Sequence, residues 1–165
     1  MKTLKLIITA VCVSILALFL LGAECGVPVE TGDSLPPYYI MFKVDGVSKI
    51  FDKGFTDFES NAFAGMSGGT QTAFFATAEV ISSFDNRMNY IEIFLNGISE
   101  GAYSDAVIDY HEEGILYLTN TGSLTITKYE DVGGVIEGTF SGTVEGKVIT
   151  EGKFKVKRLP NDIWD

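Results

Sequence analysis

Cysteine is scarce in this 165-residue chain: there are two, Cys12 and Cys25. Cys12 falls inside an uncharged N-terminal run, so the rest of the chain holds no second thiol for Cys25, and a disulfide framework is excluded. Histidine is scarcer still. The single His111 rules out zinc motifs that need two histidines. Basic residues are also few: 12 Lys and Arg against 22 Asp and Glu give a net charge of −10. Such a surface repels phosphate backbones, and nucleic-acid recognition calls for a basic patch. The one cationic cluster, Lys153, Lys155, Lys157 and Arg158, ends an expected strand, where alternate lysines mark a solvated face. A P-loop, a dinucleotide fingerprint, a CxxC pair and an EF-hand loop are all missing, so no cofactor and no metal site are expected.

Long apolar runs are absent with one exception. After Met1-Lys2-Thr3-Leu4-Lys5, no charged residue occurs from Leu6 to Ala23. A short cationic stretch followed by an apolar one is the order of a secretory signal. The core of the run, Leu6 to Leu21, is shorter than the roughly 20 residues of a spanning helix. Residues 1–24 are therefore expected to be a signal peptide. The following Leu20-Leu21-Gly22-Ala23-Glu24-Cys25 resembles the lipobox of bacterial lipoproteins, which implies lipidation at Cys25. Glu24 stands where that motif has Gly, Ala or Ser, and a plain signal-peptidase cut after Ala23 or Cys25 is the competing reading. With Lys2, Lys5 and Glu24 removed, the remainder is one unit more acidic than the whole.

Residues 25–37 carry the anchor cysteine and then three prolines among Gly and polar residues, the composition of a tether. Residues 38–165 form one domain, long enough for an ordinary core. Tyr38 to Val44 and Val47 to Phe51 flank Asp45-Gly46, the dipeptide suited to a type I′ hairpin. Further aromatic and β-branched runs cover Thr72–Ser82, Asn89–Leu95, Gly114–Leu118, Ser123–Tyr129, Val135–Val144 and Lys147–Lys157. Period-two alternation in Tyr90 to Phe94 and Leu124 to Thr127 fits a sheet packed on one face. Only Thr72 to Phe84 also suits a helix. The expected fold is all-β, a single antiparallel sandwich, with a small closed barrel as the alternative.

The motifs Gly101-Ala102-Tyr103, Gly122-Ser123-Leu124-Thr125-Ile126-Thr127-Lys128-Tyr129, Ile136-Glu137-Gly138-Thr139-Phe140 and Thr150-Glu151-Gly152-Lys153-Phe154 follow in that order. The chain from Tyr38 to Lys157 thereby resembles a family of uncharacterised bacterial, Bacteroidetes-type, envelope lipoproteins. The resemblance implies a β domain and membrane attachment through a lipid anchor. It implies no reaction, because its motifs are turn glycines and strand residues.

Three sets of residues carry side chains that chemistry could use. Gly65-Met66-Ser67-Gly68-Gly69 formally matches a nucleophile elbow, and Ser67, Asp85 or Asp105, and His111 occur in hydrolase order, but the elbow needs a strand-turn-helix context. Asp109-Tyr110-His111-Glu112-Glu113 reads as an exposed acidic loop. Asp52, Asp57 and Glu59 are a loose set of oxygens. The expectation is a non-catalytic binding or structural domain at the cell envelope. The alternatives are a lipocalin-like carrier of a small apolar ligand, if the sheet closes around a cavity, and a serine-type hydrolase.

Overall fold

The computed structural model describes residues 34–56, 59–82 and 89–161. Thirteen strands follow one another, with no helix among the described residues: β1 (Tyr39–Val44), β2 (Val47–Phe51), β3 (Lys53–Phe55), β4 (Glu59–Asn61), β5 (Phe63–Ser67), β6 (Gln71–Thr77) and β7 (Asn89–Leu95). After these come β8 (Gly101–Tyr103), β9 (Val107–Glu112), β10 (Ile115–Tyr117), β11 (Thr119–Tyr129), β12 (Val135–Val144) and β13 (Lys147–Asn161). The fold is all-β and sandwich-like. Its one large sheet runs β10-β9-β7-β6-β5-β13-β12-β11-β8 and does not close into a barrel. Of Thr72 to Phe84, the stretch that also suited a helix, Thr72 to Thr77 is strand, residues 78–82 form bends and an isolated bridge, and Phe84 lies outside the described residues. Asp45 and Gly46 have φ of 49° and 84°, the left-handed pair a type I′ turn requires.

The sheet forks at β13. That strand pairs with β12 along one edge; its other edge pairs with β1 as far as Lys155 and then with β5 from Lys157. The β5–β13 pairing is parallel, and it is the only parallel strand pairing among the described residues, the other ladders being antiparallel as expected. Register breaks in β1, β11, β12 and β13 bend the strands as β-bulges do, so the sheet folds over on itself.

Alternation decides what is enclosed. On β11, Gly122, Leu124 and Ile126 are buried while Thr121, Ser123, Thr125 and Thr127 face solvent. The main core joins both halves of the folded sheet: Phe74 of β6 meets Phe154 of β13 with ring centroids 4.8 Å apart, and Phe42 of β1 meets Tyr110 of β9 edge-on at 5.6 Å. A second cluster, Phe55, Phe63, Phe75, Ile81, Tyr90 and Leu159, covers the opposite face of β5–β7. That explains why Thr72 to Thr77 is buried without alternation, as a strand covered on both faces must be.

The first hairpin provides a local test. A Cβ at Gly46 would have nothing within 4 Å, so replacing Gly46 with alanine costs only the left-handed backbone. The expected loss is about 1 kcal/mol, read as a shift in the urea midpoint with an unchanged slope.

Candidate functional site

The two faces of the fold meet at a seam between β9 and β11. These strands are not laddered. Instead, the Thr119 hydroxyl donates to the Ile108 carbonyl and accepts from the Ile108 amide. One side chain thereby satisfies both polar groups that β9 turns outward there. A step further on, the Ala106 carbonyl lies where a Cβ on Gly122 would sit, 2.1 Å from that position, and the Ile108 side chain comes within 2.9 Å of the equivalent point on Gly142. Glycine at 122 and 142 is what lets the strands approach.

Along this seam lies a cleft of about 510 Å³, bounded by Asp105, Val107 and Asp109 on one side and Leu118, Asn120 and Thr121 on the other. A second trough of about 430 Å³ lies over β11, β12 and the start of β13 and shares Ser104, Thr121 and Gly122 with the cleft. A third hollow of about 90 Å³, at Gln71, Phe94 and Asn96, shares Asp105 and Val107 with it. Among the described residues, no lysine or arginine lines any of the three.

Asp109 lines the cleft beside Asp105. It stands opposite Glu92 in the β7–β9 register. Its Oδ1 is shielded from water and has no hydrogen-bond partner among the described residues. Burial raises its carboxyl above the usual range, opposed by a bond from the Thr119 backbone. Across the trough, Thr121 and Thr143 share a hydrogen bond of 2.9 Å, and Ser123 and Ser141 one of 3.2 Å.

The residues singled out in sequence are dispersed. Cys25, Asp57 and Asp85 lie outside the described residues. Ser67 ends β5 at a β-hairpin turn, and its cross-strand partner is Gln71. His111 is on β9, where it pairs with Tyr90, itself opposite Thr77, and its ring stacks on Tyr90 at 4.9 Å. Six steps of β6 at ~3.3 Å each therefore hold Ser67 and His111 about 20 Å apart, and they share no site. The acidic stretch around His111 is not the expected exposed loop: Asp109 to Glu112 continue β9, and the turn is Glu113-Gly114. Glu112 is held by Lys49 at 2.6 Å and Lys147 at 3.5 Å; the Lys49 bond chiefly keeps its carboxyl below the usual range. Next to it, burial and then the Glu112 charge push the Tyr110 phenol far above its ordinary value.

The remaining candidates are neutralised. Asp52 pairs with Lys53, Lys155 with Glu137, and Lys157 with Glu59. Arg158 lies over the Tyr129 ring and bonds the Glu130 carbonyl. The cationic cluster at the end of β13 is therefore mostly spent on internal partners. Sequence reasoning placed Asp109 in an exposed acidic loop and missed Thr119; the position of both comes from the β9–β11 approach and has no local signal. Comparison with protein-family models, with curated proteins and with solved structures finds no match to this chain.

Proposed function

We propose that this chain is an exported envelope lipoprotein, anchored through lipid on Cys25, whose β domain is a non-catalytic binding module. The observation that carries the reading is the order of the first 25 residues: a short cationic stretch, an uncharged apolar run from Leu6 to Ala23, and a cysteine, directly upstream of the tether and the β domain. The resemblance of residues 38–157 to envelope lipoproteins points the same way. A binding role is favoured over a carrier role because Phe42, Phe74, Tyr110 and Phe154 fill the space between the halves of the sheet, while the concave surface lies outside, across the β9–β11 seam. The separation of Ser67 from His111 supports the non-catalytic part.

Replacing Cys25 with serine is expected to move the protein from the membrane fraction to the soluble fraction of its host. Intact-mass spectrometry of the parent should show an N-terminal Cys25 carrying a diacylglyceryl group. An unmodified N-terminus after Ala23 or Cys25 would sink the anchored reading.

A further inference from the structure

The three hollows are continuous through shared residues, so they form one groove. It crosses β7, β9, β11, β12 and the start of β13, and the three laddered spacings β7–β9, β11–β12 and β12–β13 alone span ~14 Å at ~4.8 Å each. Such a length suits an extended chain better than a compact small molecule. We propose that this groove binds a linear, uncharged polysaccharide laid across the strands; the proposal rests on the binding-module reading above but not on the anchor.

The lining selects that chemistry. Carboxylates at Asp105 and Asp109, amides at Gln71 and Asn120 and hydroxyls at Ser104 and Ser141 offer many acceptors and neutral donors. Among the described residues no cation lines the groove to receive a sulfate, uronate or phosphate, and the chain's charge of −10 repels such polyanions. The paired hydroxyls of the trough are not exhausted. Each has one donor and two acceptor sites, so a pair such as Ser123–Ser141 still offers a free proton and free lone pairs. Phe94, Val107 and Val148 are exposed along the same path and supply apolar patches for the C–H faces of sugar rings.

An extended peptide is the competing occupant, and the seam disfavours it. Strand addition needs a row of free backbone amides and carbonyls. On β9 the Ile108 pair is already taken by Thr119, and the Ala106 carbonyl abuts Gly122.

The test uses the full chain in detergent, run through native gels containing linear β-glucan, xylan, mannan, alginate or chitosan, with calorimetry on oligomers of any polymer that retards it. At least one neutral polymer is expected to retard the protein, and alginate is not. Ser141→Trp, at an exposed position that a large ring would obstruct, should raise the dissociation constant about tenfold or more. Asp105→Ala should raise it about fivefold, and Ile50→Ala, on β2 away from the groove, should leave it unchanged. Unfolding midpoints matched to the parent establish that the variants are folded. The proposal falls if no neutral polymer retards the chain, if both groove variants bind like the parent, or if only chitosan binds, since that would place affinity in net charge alone. Displacement of bound glycan by an unrelated extended peptide would also overturn it, yet leave the binding-module reading standing. Failure of glycans and peptides alike would remove both readings.

Discussion

Truncation of Phe74 to alanine is expected to lower the unfolding free energy by about 3–5 kcal/mol, a large share of the 5–15 kcal/mol typical of a whole domain. Phe74 is fully buried on β6, and its ring contacts Phe154 of β13 at 4.8 Å. The contact joins the two halves of the folded sheet rather than neighbours in one ladder. Truncation leaves a cavity lined by residues whose strands are fixed by their own hydrogen bonds, so collapse into the void is limited. Urea melts would read the loss as a fall in midpoint with an unchanged slope. Phe94, on the adjacent strand β7 but turned outward and 38% exposed, provides the contrast: Phe94→Ala should cost less than about 1 kcal/mol. Equal losses at the two positions would mean that the Phe74–Phe154 contact does not hold the halves together.

Much of the fold was legible because the relevant signals are local. Asp45-Gly46 marks a type I′ turn, and β7 and β12 occupy the very residues, Asn89–Leu95 and Val135–Val144, that β-branched and aromatic composition marks out. The recurring Gly-Thr-Phe and Gly-Lys-Phe motifs also acquire a reason. Gly138 pairs with Phe154, and Phe140 pairs with Gly152, so each ring covers the glycine across the ladder. Other features depend on contacts remote in sequence. The strands β3, β4, β8 and β10 have three residues each, too few for alternation to declare itself. The parallel pairing of β5 with the end of β13 joins residues more than ninety positions apart, and no spacing rule anticipates it.

The candidate site was less legible than the fold. Residues with chemically suggestive side chains, Ser67 and His111, were visible in sequence but are held at opposite ends of β6. Asp109 sat within an acidic run that reads as solvated, and it becomes distinctive only because β9 meets β11 and shields one of its oxygens. The groove consists mainly of Ser, Thr, Asn and Gly, residues that carry no motif in isolation. Their order across five strands exists only after the sheet has folded over.

Replacing Lys157 with methionine is expected to cost about 2–4 kcal/mol at neutral pH, below the usual penalty for breaking a fully buried pair because the lysine is about one-third exposed. Glu59 has a relative exposure of only 7%, with its Oε2 2.6 Å from the Lys157 ammonium and its Oε1 bound by the Asn61 amide at 2.8 Å. Burial pushes the carboxyl up, and the lysine and Asn61 together pull it below its ordinary 4.5. A folded-state value below the unfolded one makes the contribution complete above pH 4.5 and lost as pH falls through the lower folded value. In the methionine variant the burial remains while the ammonium is gone, so the carboxyl rises and the native state binds its proton at higher pH than the parent does. The stability gap between parent and variant should therefore be widest near pH 7 and shrink as pH falls below 4.5 and through the parent's lowered folded value. Adding Glu59→Gln should recover much of the neutral-pH loss, because the stranded charge is removed while the Asn61 contact keeps an acceptor. A gap that stays constant from pH 7 to pH 3 would show that the lysine acts through its packed stem and not through its charge.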